Sequence, residues 1–167
     1  MNDNTFASVT ADVLITLKAL ESVDVSGISL EVVSEEEQDI VPTILQNLPN
    51  LRSLRMSRCF VFGDLVLPQL GAFEKLQVLD LSQNAFSGML PSFTSFPKLE
   101  VLNIEKNYFR GELDIDVQHL PALRELRIAQ NQFDGGVVPA AFADLDVCRC
   151  LLGFDCGVFS CGKFTII

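Results

Sequence analysis

A repeated segment constrains this chain more than any other feature. Leu51-Arg-Ser-Leu54-Arg-Met56-Ser-Arg-Cys59, Leu76-Gln-Val-Leu79-Asp-Leu81-Ser-Gln-Asn84, Leu99-Glu-Val-Leu102-Asn-Ile104-Glu-Lys-Asn107 and Leu123-Arg-Glu-Leu126-Arg-Ile128-Ala-Gln-Asn131 share the pattern L-x-x-L-x-L-x-x-N/C. Their starts lie 25, 23 and 24 residues apart. A degenerate copy begins at Leu20, with Val23, Val25 and Ile28 in register, 31 residues before the next. A weaker sixth copy is expected from Cys148, with Leu151, Cys156 and Val158 in acceptable places and Gly153 where an aliphatic residue belongs. A period of this length signals a stack of similar coils, each burying its apolar side against its neighbours.

Each motif position has a physical role. The alternation L-x-L is the two-residue period of a strand, so Leu79 and Leu81 point inward while Val78, Asp80 and Ser82 face out. Asn84, Asn107 and Asn131 fall where the chain leaves the strand, and an amide there can serve backbone groups of its own turn and the next. Cys59 and Cys156 are placed at the same corner, where a thiol can stand in as a weak partner. Two positions on, Phe86, Phe109 and Phe133 are expected to stack as a spine, continued by the smaller Val158.

The return leg has a period of three, as in Leu70, Phe73, Leu76, Leu79 and Phe93, Phe96, Leu99, Leu102. That spacing predicts short 3₁₀ turns, and Pro97 and Pro121 argue against long helices. The longest copy differs: Ser34-Glu-Glu-Glu37 reads as a capping box opening a helix towards Leu48, with Pro42 expected to kink or end it. The acidic run Ser34–Asp39 is either that solvated helix start or an acidic docking patch.

The motif resembles the leucine-rich repeat, over about Leu14 to Val158. Asn84-Ala-Phe86-Ser-Gly88-Met-Leu90-Pro91 is similar to the plant-type subclass, N-x-L/F-x-G-x-I/L-P, and the copies at Asn107 and Asn131 follow it, with Asp114 and an extra Gly136 as departures. That subclass occurs in plant receptor-kinase ectodomains, plant inhibitors of wall-degrading enzymes and kinetoplastid surface antigens. The resemblance implies an α/β fold: a right-handed solenoid of about six repeats, with a parallel sheet on the concave face and 3₁₀ or short helices outside. One domain is expected, with residues 1–19 as N-terminal edge, 20–147 as repeats and 148–167 as a degenerate last repeat and cysteine-rich cap.

The resemblance also implies a noncatalytic module that binds a protein or peptide across the strand face. The candidate contacts are Arg55, Arg58, Asp80, Gln83, Asn103, Glu105, Lys106, Glu125, Arg127 and Gln130, which vary in chemistry while the inward positions do not. Arg is frequent in binding hot spots, which favours Arg55, Arg58 and Arg127. Arg55 beside Asp80 reads either as a cross-strand ion pair or as a partner contact. The alternative is a spacer or cap within a longer cell-surface solenoid, associating with further repeats through apolar edges such as Leu17 or Leu151.

Other classes find little support. The net charge of -10, from 12 basic and 22 acidic residues, opposes binding to a phosphate backbone. No run of 18 apolar residues occurs, and the N-terminus lacks a basic, apolar leader, so the chain reads as intracellular or as a piece of a longer one. No cofactor motif is present. The single His119 sits on the return leg, and carboxylates such as Asp80 and Glu105 would share an open face without the desolvation that tunes a catalytic pair. Cys148, Cys150, Cys156 and Cys161 lack zinc-ribbon spacing. They resemble the disulfide caps of extracellular leucine-rich-repeat proteins, with free buried thiols as the other reading. A cell-surface location follows from the first and a cytoplasmic one from the second.

Overall fold

The computed structural model describes residues 15–30, 40–67, 73–113, 115, 119–135 and 147–149. Each motif forms a three-residue strand: β1 (Ser22–Asp24), β2 (Ser53–Arg55), β4 (Val78–Asp80), β6 (Val101–Asn103), β8 (Glu125–Arg127) and β10 (Val147–Arg149), with the middle residue of the first five buried. Together they form one parallel sheet in the order β1-β2-β4-β6-β8-β10. Val23, Leu54, Leu79, Leu102 and Leu126 are Cα partners along its middle and are buried. Consecutive sheet neighbours a full repeat apart make the chain a parallel-strand solenoid, as the repeat requires.

Past each corner the chain runs along a second side. There β3 (Phe62–Asp64) pairs in parallel with β5 (Ala85–Ser87), and β7 (Arg110–Glu112) with β9 (Gln132–Gly135). A bridge between Met89 and Arg110 joins the two pairs. On the return leg each coil closes with an i to i−3 bond: Leu51 donates to Leu48, Leu76 to Phe73, Leu99 to Phe96 and Leu123 to Leu120, at 3.0–3.2 Å. Those are the tight turns that the three-residue period predicts.

Between these sides lies a dry interior. Leu54, Met56, Leu79, Leu81, Leu99, Leu102, Ile104 and Phe109 are fully inaccessible to solvent. The Phe86 and Phe109 rings lie 6.2 Å apart and 8° from parallel, and Phe133 is buried beyond them. Phe96 stacks on Phe73 at 4.8 Å and tilts against Phe93 at 5.8 Å, closing the core on the return side.

Two sequence expectations change. A helix spans Ile40–Asn47 and runs through Pro42 without ending there. Pro42 lies in its first turn, where a backbone N–H would have no intrahelical partner, so the ring costs no hydrogen bond. The expected capping box at Ser34 lies outside the described residues. In the last copy, Cys148 is the Cα partner of Leu126, the fourth motif position and not the first. The strand of this copy therefore lies three residues earlier than expected, and the expected corner at Cys156 lies outside the described residues. A three-residue slip keeps most apolar positions apolar, which is why the pattern alone admits both registers. Cys150, Cys156 and Cys161, and with them the cap disulfides, lie outside the described residues.

Candidate functional site

The corners are built from an amide clasp. Asn107 donates through Nδ2 to the carbonyl of Ile104 in its own coil at 3.1 Å and to Leu81 in the previous coil at 3.0 Å. Its Oδ1 accepts from the Phe86 N–H at 3.1 Å. Asn84 repeats this with Leu81, Met56 and the N–H groups of Cys59 and Val61, and Asn131 with Ile128, Ile104 and Phe109. Carbonyls of Leu81 and Ile104 thus accept from two successive asparagines, filling both lone pairs. Cys59 continues the ladder with sulfur, its Sγ donating to the Val25 carbonyl at 3.1 Å. Burial raises its pKa from 9.0 to about 11, so the thiol stays protonated as the donor role demands.

Immediately before each corner stands a residue in the left-handed region: Arg58, Gln83, Lys106 and Gln130, with φ of 56–58°. None is a residue that favours this conformation, so sequence reasoning has no signal for it. The turn is imposed by coil closure, and it brings these four long side chains into a row beside the sheet.

The open face of the sheet carries the sequence-predicted contacts in rows. The central row runs Asp24, Arg55, Asp80, Asn103, Arg127 and Arg149 by Cα pairing. Three of these serve the backbone two residues on: Asp24 accepts from the Ser26 N–H at 3.0 Å, Asp80 from Ser82 at 3.0 Å and Asn103 from Glu105 at 3.2 Å. Asp80 also accepts a hydrogen bond from the Ser82 hydroxyl at 2.7 Å, and the Ser82 and Ser57 hydroxyls lie 3.2 Å apart. Arg55 therefore sits between two carboxylates already committed to turns. The cross-strand ion pair with Asp80 does not form, although the register is the expected one.

The remaining candidates divide the same way. Arg127 pairs with Glu125 on its own strand, both partly buried. Arg58 donates to Gln83 at 2.8 Å and stays exposed. Lys106 and Gln130 are exposed at the left-handed corner, and Glu105 is half-buried. Asn103, Ser82 and Ala129 are buried despite their outward register. What the face offers a partner is thus an excess of donors: the guanidinium groups of Arg55 and Arg58, the Lys106 ammonium and the Gln130 amide.

His119 is exposed on the return leg, away from this face. Among the described residues no cluster of His, Cys, Asp or Glu is placed to hold a metal ion. No helix among them is long and apolar enough to cross a membrane. The sequence reading missed a group of exposed apolar side chains on the second side, Phe60, Phe62, Met89 and Tyr108. Phe60 and Tyr108 stand directly after a corner residue, a signal that the repeat alignment contains.

The Leucine Rich Repeat family model matches residues 75–96. No curated protein matches the chain in sequence. Among solved structures, a plant ice-binding protein superposes with a TM-score of 0.61 and 24% identity, over 90% of this chain and 47% of that one. The Arabidopsis receptor kinase HAESA, in complex with the peptide hormone IDA and the co-receptor SERK1, superposes with a TM-score of 0.63 and 26% identity, over 83% of this chain and 24% of that one. The chain thus spans about half the length of the first and a quarter of the second. Together with the asparagine ladder, the six-stranded parallel sheet and the second strand pairs on the flank, these likenesses support a leucine-rich-repeat solenoid similar to the plant type.

Proposed function

We propose that this chain is a noncatalytic recognition module whose open strand face binds a protein or peptide. One observation carries the reading: the Asp24 and Asp80 carboxylates are turned to the backbone and to Ser82, and Glu125 to Arg127, whereas Arg55, Arg58 and Lys106 keep exposed donors. Such a surface suits a partner that presents carboxylates or backbone carbonyls. The HAESA chain, similar in fold, is in complex with a peptide hormone and a co-receptor, which supports a peptide or protein as the class of ligand. The six strands span about 25 Å, enough for an extended segment of several residues. The test is the affinity for a partner captured with the intact chain. Charge reversal at Arg55, Arg58 and Arg127 together should weaken binding at least about tenfold. Unchanged affinity would place the contact elsewhere.

A second reading, a spacer within a longer solenoid, is favoured by Leu17, an exposed leucine at the N-terminal edge. Sedimentation separates the two: self-association that Leu17→Ser abolishes supports the spacer, and a monomer at all concentrations supports the recognition module.

A further inference from the structure

At the middle of the open sheet, β4 and β6 set four outward residues in a square. Val78 and Val101 are Cα partners, and two residues on so are Asp80 and Asn103. Both valines and Asp80 are half-buried, while Asn103 is only 6% exposed. The two polar side chains make the same local bond: Asp80 Oδ1 accepts from the Ser82 N–H at 3.0 Å and Asn103 Oδ1 from the Glu105 N–H at 3.2 Å. Equal turns on adjacent strands set the second atom of each, Asp80 Oδ2 and Asn103 Nδ2, side by side, one strand spacing or about 4.8 Å apart.

Those two atoms are uncommitted. The Ser82 N–H and hydroxyl both bond to Oδ1, which leaves Asp80 Oδ2 without a partner among the described residues. Asn103 Nδ2 has none there either, and it still reaches solvent. An amide that has already lost most of its water gains more from a new partner than an exposed one does.

A group that bridges the pair must accept from Nδ2 and donate to Oδ2. A carboxylate accepts but is repelled by Asp80. An ammonium or guanidinium donates to Asp80 but turns further donors against Nδ2, and an aliphatic group or thioether leaves both atoms bare. A primary carboxamide carries an acceptor and two donors on one carbon, so it satisfies both. Its stem has a place as well, because Val78 and Val101 lie two residues back along their strands, about 6–7 Å away. Arg55, the Cα partner of Asp80 on its other side, stands two strands from Asn103 and is left to acidic groups of the partner.

We infer that the centre of the face is a subsite for a glutamine side chain of the partner segment, an inference that rests on the strand-face reading. The carboxamide oxygen accepts from Asn103 Nδ2, its nitrogen donates to Asp80 Oδ2, and the two methylenes lie over Val78 and Val101.

The experiment titrates the full, isotope-labelled chain with four blocked peptides, acetyl-Ala-Gln-Ala-N-methylamide and its counterparts with Glu, Met or Lys at the centre, following the Asn103 side-chain amide by NMR. The glutamine peptide should shift that resonance with a Kd of about 1–10 mM, the other three at least about fivefold weaker. Asp80→Asn keeps the Oδ1 acceptor for Ser82 but turns the acceptor and donor into two donors, so the preference should pass to glutamate. The Asn84, Asn107 and Asn131 amides report whether the ladder is intact in that variant; should it not be, the wild-type ranking alone decides. The inference is overturned if the four peptides bind alike, as they would if only their backbone were held. It is overturned if none shifts Asn103 up to about 50 mM, or if an intact Asp80→Asn still prefers glutamine. Shifts confined to Arg55 and Arg58 would overturn it and leave the strand-face reading intact, since that reading is judged on the captured partner.

Discussion

The Cys59 thiol donates to the Val25 carbonyl at 3.1 Å, in the place where Asn107 donates an amide to Leu81 at 3.0 Å. A ladder of asparagines thus ends in sulfur, and the weaker donor has a pH signature. Burial lifts the Cys59 pKa from 9.0 to about 11, so the folded chain keeps a proton that the unfolded chain loses. The protonated thiol's contribution is complete below pH 9 and is lost as pH rises towards 11. Urea denaturation of the wild type and Cys59→Ser across that window should show the wild type losing stability faster; parallel curves would remove the thiol from the ladder.

Asn107 clasps two successive coils through two carbonyls and one N–H. Asn107→Leu fits apolar surroundings but orphans the buried Phe86 N–H and removes a second donor from each carbonyl. A loss of about 3 kcal/mol is expected in equilibrium unfolding. A loss within about 0.5 kcal/mol would mean the ladder is incidental to coil stacking.

Gly88 and Gly27 separate backbone strain from crowding. Both have φ near +75°, but a Cβ at Gly27 meets open space, whereas one at Gly88 lies 2.6 Å from the Asp64 carboxylate. Gly27→Ala should cost about 1 kcal/mol, from conformation alone. Gly88→Ala should cost more, and adding Asp64→Ala should recover the excess. Equal costs at the two glycines would contradict the crowding.

Arg55 has no side-chain partner among the described residues, whereas Asp80 holds the Ser82 N–H and hydroxyl. Arg55→Ser should therefore leave stability within about 0.5 kcal/mol, and Asp80→Ala should lower it by about 1 kcal/mol. Thermal unfolding checks both, and it shows whether a binding loss at Arg55 is a surface effect.

What could be read from the sequence follows from where the period is strict. Leu54, Leu79, Leu102 and Leu126 recur because every coil meets the same interior, so sheet order and register are visible in a single chain. The i to i−3 bonds ending at Leu51, Leu76, Leu99 and Leu123 are equally visible in the three-residue spacing. The register of the last copy was not, since a three-residue slip at Cys148 preserves the apolar pattern. Nor was the state of the face. Whether Asp80 turns to Arg55 or to Ser82 depends on a local turn that competes with a cross-strand charge, and the two-residue bond wins because a turn already closed costs less chain entropy. Left-handed Gln83 and Lys106, and the exposed rings of Phe62 and Tyr108, arise from coil closure, which no single position encodes.

The most direct test of the recognition face is chemical footprinting of the full chain with and without its captured partner bound. Protection of Arg55, Arg58 and Lys106, with Lys98 on the return leg still reactive, is the expected result. Full reactivity of all three in the complex, with Lys98 protected instead, would contradict the account.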